Sequence, residues 1–598
     1  MILRGLMALL LAMVMAATAL GAPAAGAQTC QLSIAVSPAT VNYPGHLPGG
    51  GASESFGEVL DLNYTASIAG QTIQVQYLNG SNWVDVQNIT ANSVGFTETT
   101  LSLTTAWARL GSNTLRASDS SCSSAQASFS VVVNTTAVSG DVEAYLLVVL
   151  LGVGFYLIGR RTPFKIFLVF AAAVYLVIAP FTGQRYDIYF LLSSGIRMLQ
   201  HVNPFFAGSP PVYPGALKWA YPPLYAVYSA ASYLLYQALT GASIPSVSSL
   251  TWPGFLTSTY NVWLAFVPKS LPALVFLLKV PMVLSALGTG ALLAKMTGSK
   301  ASGIFWITNP LVILVAAIWG QLDPIATLLA VAAIYYYGRG KQYHAYLLAS
   351  LGAAVKIWPA LLVPLFLVGG LRREGRRSLK PLTAVLPSLA VTLGLYAAVG
   401  NFFETLAVLL YARGIPSYAG QFSVNGLTWQ QALAVLGAPA VPIFLIVGIP
   451  IYGLILAWMY WKRDGDVTKW LVVSILVFYL TYNYVNPQYL YWVLPFLILQ
   501  GRKLASWLFT ALPVAYVAFS YNIFYFVSPA ILKDEFSIGP SVVEQLKLSG
   551  LYSMSLQYFA VVAAVPTLVY LLLLRQELKA HRAATPTPLS PAGVANSG

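Results

Sequence analysis

Residues 303–337 read GIFWITNPLVILVAAIWGQLDPIATLLAVAAIYYY, and this stretch decides the class of fold. It contains a single charged residue, Asp323, between apolar runs at 303–318 and 324–337. A helix of about 20 apolar residues crosses the hydrocarbon core of a bilayer. The two runs therefore predict one helix that rises through a membrane and one that returns, with Asp323 near the outer turn.

The composition of the whole chain supports the same interpretation. Of its 598 residues, 57% are hydrophobic and 8% are charged, whereas a soluble domain carries about 25% charged residues. Apolar surface on this scale needs lipid to cover it. The sequence predicts a multi-pass α-helical membrane protein with about 12 to 14 spans, beginning near Tyr145.

The basic residues give the orientation of these spans. They lie in short loops between apolar runs, at Arg160, Arg161 and Lys165, at Arg339 and Lys341, at Arg372, Arg373, Arg376, Arg377 and Lys380, at Lys462 and Arg463, at Arg502 and Lys503, and at Arg575, Lys579 and Arg582. Such loops are cytoplasmic in multi-pass proteins. The net charge of +14 therefore does not indicate a nucleic-acid partner, which would need a basic stripe with stacking platforms.

The N-terminal part of the chain has a different character. Residues 1–27 are typical of a secretory signal peptide, with an uncleaved first helix as the alternative. Residues 28–140 contain short alternating runs and turn signals such as Asn79-Gly80, which predict an extracytoplasmic, immunoglobulin-like β-sandwich. Cys30 and Cys122 lie near its two ends and predict a disulfide in an exported domain.

The remaining domain boundaries follow from the apolar runs. An anchoring transmembrane helix is predicted at 143–160, a transmembrane domain at 164–574 and a cytoplasmic tail at 575–598. The sequence leaves open whether 240–270 crosses, re-enters or lies along the membrane. Residues 342–370 lie between two basic loops but are too short for two full spans. They predict two short helices that meet at Lys356-Ile357-Trp358-Pro359, where the proline breaks the helix.

Acidic residues are scarce, and two of them are candidates for chemistry. Between Glu143 and Glu374 the chain has Asp187 and Asp323 as its only carboxylates. Asp187 follows a span and lies in a predicted outer loop, where it could act as a general base, bind a metal or pair with a nearby arginine. Asp323 either caps a helix or adds a second acidic group at the same face.

Several polar residues are candidate ligand contacts. Lys356 lies in an apolar stretch and needs a counter-charge, which a lipid phosphate or Asp323 would supply. Arg413 is a second candidate for phosphate oxygens. Asn486-Pro487-Gln488-Tyr489 lies at another outward turn and suits sugar or head-group contacts. No glycine-rich nucleotide loop is present, and the four histidines do not have the spacing of metal ligands.

The order of these motifs resembles a known family. Asp187 in the first outer loop precedes Asn203-Pro204-Phe205 and Tyr221-Pro222-Pro223-Leu224. Asn309-Pro310, Gly-Gln-x-Asp, Lys-Ile-Trp-Pro and Asn-Pro-Gln-Tyr then follow. This order over roughly 164–574 is similar to the GT-C superfamily of polytopic glycosyltransferases, above all to mannosyltransferases that use dolichyl- or polyprenyl-phosphate-mannose, including the catalytic subunit of the first GPI mannosyltransferase.

The resemblance implies a function and a set of site residues. It implies transfer of a sugar from a polyprenyl- or dolichyl-phosphate donor to a lipid-linked or glycan acceptor at the extracytoplasmic face, with membrane lipid as a further partner. The essential acid maps to Asp187. The predicted substrate contacts are Arg185, Tyr186, Gln321, Asp323, Lys356, Arg413, Asn486, Gln488 and Tyr489. Family members often carry Asp-x-Asp, whereas Arg185 and Tyr189 flank Asp187 here. That departure favours a single catalytic base and leaves a divalent cation, Mn²⁺ or Mg²⁺, as an open question.

Two other classes of function remain open from the sequence. A transporter or flippase for a lipid-linked or small solute is the main alternative, although no inverted repeat is visible. A surface-anchored binding protein is the other. The expected location is the cell membrane, or the endoplasmic reticulum membrane in a eukaryote.

Overall fold

The computed structural model describes residues 33–37, 39–43, 55–66, 72–79, 81–90, 95–104, 111–119, 122–133, 138–183, 185–201, 222–241, 243, 271–399, 427, 429–430, 443–462, 464–482, 485–520 and 552–583. The chain divides into two compact units. A mainly β unit comprises Met1–Val41, Val59–Leu103 and Trp107–Val132, and a mainly helical unit comprises Val133–Gly598 together with Asn42–Glu58 and Thr104–Ala106.

Eight described strands form two sheets, and most of their residues belong to the β unit. They are β1 (Ser33–Ser37), β2 (Thr40–Tyr43), β3 (Ser55–Ala66), β4 (Thr72–Asn79), β5 (Asn82–Thr90), β6 (Gly95–Thr104), β7 (Gly111–Asp119) and β8 (Cys122–Val133). One sheet has the order β1-β3-β6 and the other β2-β8-β7-β4-β5. The registered pairs β1–β3, β4–β5, β4–β7 and β7–β8 are antiparallel. The antiparallel β character is confirmed, whereas the immunoglobulin-like sandwich stays a prediction.

Strand β4 shows why this part of the chain forms strands. Its side chains alternate, so that Ile73, Val75 and Tyr77 are buried while Thr72 and Gln74 face outward. This two-residue period buries one face of a sheet. The predicted Asn79-Gly80 turn lies where β4 ends and β5 begins at Asn82. Cys30 and the signal-peptide region lie outside the described residues, so the disulfide and the signal peptide stay predictions.

The helical unit contains sixteen described α-helices. They are α1 (Val138–Arg161), α2 (Phe164–Ile178), α3 (Arg185–Leu199), α4 (Leu224–Thr240), α5 (Leu271–Thr297), α6 (Lys300–Ile307), α7 (Pro310–Ile313), α8 (Asp323–Gly338), α9 (Gln342–Val355), α10 (Leu362–Glu374), α11 (Leu386–Val399), α12 (Ile449–Lys462), α13 (Val467–Thr481), α14 (Leu494–Leu499), α15 (Lys503–Ser520) and α16 (Tyr552–Ala583). Short 3-10 or π segments occur at Ala179–Phe181, Leu314–Trp319, Trp358–Leu361, Gly375–Val385, Phe444–Gly448 and Pro487–Tyr491.

Several of these helices have the length and composition of membrane spans. Among the described residues they are Phe164–Phe181, Pro272–Thr297, Trp358–Ala398 and Phe444–Lys462, with the bent pair Lys300–Ile307 and Pro310–Trp319 as a fifth if it counts as one span. Helix α2 shows the pattern: Phe167, Ala171 and Tyr175 form a buried stripe, while Val169 and Val177 are largely exposed. Apolar exposure of this kind is compatible with a lipid environment. The count of 12 to 14 spans stays a prediction.

The apolar stretch 303–318 is bent rather than straight. The predicted span over these residues is not one continuous helix, because α6 ends at Ile307 and the next helix, from Pro310, is bent by 55° relative to it; together they count as a candidate span with a break. Pro310 has no N–H to continue the helix and restricts the residue before it. The side chain of Asn309 accepts a hydrogen bond from the Leu311 N–H at 2.9 Å and so caps the new helix.

The two predicted helix breaks further along are confirmed. Helix α8 begins at Asp323, with Pro324 in its first turn. Helix α9 ends at Val355, and Lys356 has an extended backbone with φ −150° and ψ 130°. A 3-10 turn with Pro359 then leads into α10. Helix α8 packs against both α5 and α9, which places its N-terminus next to the tip of the α9–α10 hairpin.

Candidate functional site

Four segments that are distant in sequence meet at one place in the helical unit. They are the first turn of α3 with Asp187, the turn Trp319–Asp323, the hairpin tip at Lys356, and the segment 487–492. Direct side-chain contacts join them. Each segment contains one of the motifs that the sequence singled out.

Asp187 lies in the first turn of α3 rather than in an irregular loop. It is partly buried, and its Oδ2 accepts a hydrogen bond from Trp319 Nε1 at 2.6 Å. Burial raises the pKa of the Asp187 carboxyl to about 6. The hydrogen bond from Trp319 and the nearby amide of Gln321 favour the ionised form and partly offset this rise. The Lys356 charge lowers this pKa and the Asp323 charge raises it.

Asp323 forms a buried ion pair with Lys356. The lysine Nζ is 2.8 Å from Oδ1 and 2.7 Å from Oδ2, and the two side chains are 0% and 4% exposed. Trp492 Nε1 donates a further hydrogen bond to Oδ1. The Asp323 side chain therefore does not cap α8, and Asp323 is the counter-charge that Lys356 required. Removing either partner would leave an uncompensated buried charge.

Aromatic rings surround this ion pair. Lys356 Nζ lies 5.1 Å from the ring centre of Tyr489 and 5.5 Å from that of Trp492. Both distances suit a cation–π interaction. Tyr489 and Trp492 stack with centroids 4.3 Å apart, and Trp358 stacks on Trp492 at 5.6 Å. The rings exclude water from the pair and hold the hairpin tip against the segment 487–492.

The turn that carries Trp319 depends on a glycine. The π-helical segment Leu314–Trp319 ends at Gly320, whose φ of 85° lies in the left-handed region. A side chain is strained there. A Cβ atom at this position would also lie 2.6 Å from Cε of Lys279. Only glycine fits, and the resulting sharp turn brings Trp319 and Gln321 back toward Asp187.

Lys279, a residue that the sequence analysis did not single out, is central to this turn. It is completely buried on α5. Its Nζ lies within hydrogen-bond distance of four carbonyl oxygens, which share its three N–H groups: those of Ala179 at 3.0 Å, Ala317 at 2.9 Å, Ile318 at 2.7 Å and Thr182 at 2.5 Å. One signal could have found it: Lys279 is the single charge in the apolar run 271–294, and such a charge indicates a specific role.

The other predicted site residues divide into two groups. Gln321 is buried near Asp187. Gln488 is also buried, and its Oε1 has no hydrogen-bond partner among the described residues. Asn486 is partly exposed and directly precedes the 3-10 turn that carries Gln488 and Tyr489. The side chains of Arg185 and Tyr186, the whole of Arg413, and the segments 203–205 and 244–270 lie outside the description.

The described residues form no multi-carboxylate cage for a divalent cation. Mn²⁺ and Mg²⁺ need several oxygen ligands, and the described residues contain no group of three or more His, Cys, Asp or Glu side chains. The Asp323 oxygens already accept hydrogen bonds from Lys356 and Trp492. Lys356 therefore occupies the position at Asp323 that a cation would take.

Comparison with known proteins adds no family to this description. No protein-family model matches the sequence, and no curated protein is significantly similar to it. The fold and the site define a mostly helical chain with apolar, membrane-compatible helices and a buried cluster of two acids, one lysine and several indole rings.

Proposed function

We propose that this protein is a membrane glycosyltransferase, with mannose from a polyprenyl- or dolichyl-phosphate donor as the first sugar to test. One observation carries the proposal: the Asp187–Trp319 hydrogen bond and the Asp323–Lys356 ion pair bring together residues from several of the motifs on which the family resemblance rests. The proposal includes a multi-pass GT-C-like fold, an extracytoplasmic β-sandwich and a cell-membrane location, or an endoplasmic reticulum location in a eukaryote.

Asp187 has the properties that a general base in this reaction needs. A carboxyl with a pKa of about 6 is largely ionised at neutral pH and still basic enough to accept a proton. In the proposed step it takes the proton of the acceptor hydroxyl as that oxygen attacks the anomeric carbon. The bond from this carbon to the phosphate oxygen breaks, and its electron pair leaves with the lipid phosphate.

In the proposed step Lys356 donates an N–H to the leaving phosphate, although Asp323 balances its charge in this structure. A fixed cation beside developing negative charge lowers the barrier most when water is excluded, and Lys356 is 3% exposed. Asp323 and the rings of Tyr489 and Trp492 hold its ammonium in place. Arg413 remains a second proposed phosphate contact, and Gln488 a proposed contact to a sugar hydroxyl.

The first experiment compares the intact protein with Asp187→Asn in nanodiscs, using radiolabelled polyprenyl-phosphate-mannose and a membrane lipid extract as acceptor. Loss of a general base lowers the rate by about 10²- to 10⁴-fold. Asp464→Asn is the matched control, because Asp464 is an acid that pairs with Lys469 on α13 and belongs to none of the four segments. Equal transfer by the intact protein and Asp187→Asn would overturn the assignment of the base.

A transporter for a lipid-linked or small solute is the second candidate. The buried Asp323–Lys356 pair favours it, since ionisable groups inside apolar helical cores mark ion pathways. Proteoliposomes separate the two functions. Transfer of label to a new lipid product indicates a transferase, whereas movement of intact polyprenyl-phosphate-mannose between leaflets without a product indicates a flippase.

A further inference from the structure

Lys279 is held in an arrangement that is rare for a lysine. Within the described residues, its buried ammonium has no carboxylate partner and is bound by four backbone carbonyls and, at 3.4 Å, by the hydroxyl of Thr182. A buried charge is tolerated when hydrogen bonds replace its hydration. So many bonds from one side chain indicate that the lysine ties together the segments that supply the carbonyls.

The carbonyls come from the C-terminal ends of two helical segments. Ala179 and Thr182 lie where α2 and its 3-10 extension end, and Ala317 and Ile318 lie in the last turn of the π segment. The last carbonyls of a helix have no partner within the helix and carry partial negative charge. Two such ends facing each other repel, and one ammonium between them stabilises both.

The same two segments lead directly into the site. Thr182 precedes Asp187 by five positions in the chain, and Ile318 is the residue before Trp319. Gly320 lies against the Lys279 side chain, where a Cβ would be 2.6 Å from its Cε. The Lys279 ammonium therefore links two stretches of backbone. One leads into α3, which carries Asp187, and the other leads into the turn that carries Trp319.

We infer that Lys279 is a positioning residue that fixes the Trp319–Asp187 hydrogen bond by tying these two helix ends together. It acts through the backbone, because the charges that shift the pKa of Asp187 are those of Lys356 and Asp323. The role of Lys279 in catalysis rests on the proposed function. Its effect on the Trp319–Asp187 hydrogen bond does not depend on that function.

The test follows Trp319 directly. The full chain is labelled with 5-fluorotryptophan in nanodiscs, and Trp319→Phe assigns the ¹⁹F resonance of Trp319. In the intact protein this resonance should titrate with a midpoint near the Asp187 pKa of about 6, and Asp187→Asn should abolish the titration. In Lys279→Met we expect a displaced resonance and a midpoint shifted by at least one pH unit, because the pKa of Asp187 depends both on the Trp319 hydrogen bond, which lowers it, and on burial, which raises it.

Lys295→Met is the matched control for this substitution. Lys295 lies on the same helix but is exposed, over the ring of Tyr335 at 5.3 Å, so the Trp319 midpoint should not change. A lower unfolding temperature for Lys279→Met with an unchanged Trp319 midpoint would mean that Lys279 only stabilises the fold, which overturns the inference.

A second variant covers the case in which Lys279→Met does not fold. Gly320→Ala keeps the lysine but places a Cβ 2.6 Å from its Cε and 3.0 Å from Ile188 Cδ1, whereas Gly340→Ala introduces a similar backbone strain, at φ 73°, with no atom within 4 Å of the new Cβ. We expect the Trp319 midpoint to shift in Gly320→Ala and to stay in Gly340→Ala. Equal midpoints in both variants would contradict the inference.

Activity separates this inference from the proposed function. Misplacement of a reacting group by about 1 Å lowers rates about 10²-fold, so Lys279→Met should lose mannosyl transfer mainly in kcat. No transfer by the intact protein, together with a moved Trp319 resonance, would reject the proposed function and keep the inference. If Lys279→Met loses transfer while its Trp319 resonance does not move, the inference about Lys279 is rejected and the proposed function is kept.

Discussion

At the scale of single residues, the site depends on where charges are buried. Asp187 is partly buried and accepts an indole N–H, while Asp323 is fully buried and bound to an ammonium. The same side-chain type therefore has two environments in one cluster. When two carboxylates in one site have different surroundings, they can take different roles in a reaction.

The raised pKa of Asp187 predicts the pH dependence of transfer. The base is active when ionised, so kcat/KM should be low at acidic pH and rise to a plateau with a midpoint of about 6. The charged groups that face it are Lys356, which lowers the midpoint, and Asp323, which raises it. A rate profile from pH 4.5 to 8.5 measures this. A midpoint near the ordinary value of about 3.9 would show that Asp187 is not the titrating base.

The buried ion pair predicts a non-additive pattern of stability. Lys356→Met and Asp323→Asn should each destabilise the protein by about 3–5 kcal/mol, because each leaves one partner buried and unpaired. The double variant should lose less than the sum of the two. Thermal unfolding in nanodiscs measures the cycle. The Lys469–Asp464 pair, 3.0 Å apart and 11% and 15% exposed, is the control, and its cycle should give a smaller coupling energy because water reaches it more than the fully buried pair.

At the scale of helices, the packing of α3 against α4 sets the position of Asp187. A Cβ added at Gly195 would lie 2.6 Å from Ser229 Oγ and 2.7–2.8 Å from the backbone of Ser229 and Ala230. Backbone cannot move aside cheaply, so Gly195→Ala should push α3 away, destabilise by about 1–3 kcal/mol and lower transfer. Gly154→Ala, with no atom within 4 Å, should leave both unchanged. Equal unfolding temperatures for the two variants would show that this close contact does not position α3.

The elements also show which features a sequence reveals. The break before Pro359 was predictable because proline acts on its own helix. The bend at Asn309-Pro310 was missed because the apolar run around it was interpreted as one span. The sequence predicts that Lys356 needs a counter-charge, since a charge in an apolar run needs a partner. It does not decide whether that partner is Asp323 or a phosphate.

Lys279 and the two indole donors were missed for a physical reason. Backbone carbonyls bind Lys279, and carbonyls are present at every residue, so no residue type signals them. Trp319 and Trp492 were not singled out because aromatic residues in such chains are usual at the membrane interface. Their roles as donors to Asp187 and Asp323 depend on contacts between segments 132 and 169 residues apart.

At the scale of the whole molecule, the arrangement of charge predicts sidedness. The β unit should lie outside the cytoplasm and the basic loops inside it, and the two can be compared by labelling intact cells with an impermeant maleimide. Ser112→Cys, exposed on β7, should react in intact cells, whereas Lys341→Cys, exposed in the turn after α8, should react only after permeabilisation.

The unsubstituted chain is the control in this experiment and tests the disulfide at the same time. Its two cysteines should not react until a reductant is added, because a disulfide leaves no thiolate to attack the maleimide. Labelling of Lys341→Cys from outside would reverse the orientation and place the turn with Trp319 and Asp323 on the cytoplasmic side. A cytoplasmic site can meet nucleotide-activated sugars, so that result would remove the reason for expecting a lipid-phosphate donor.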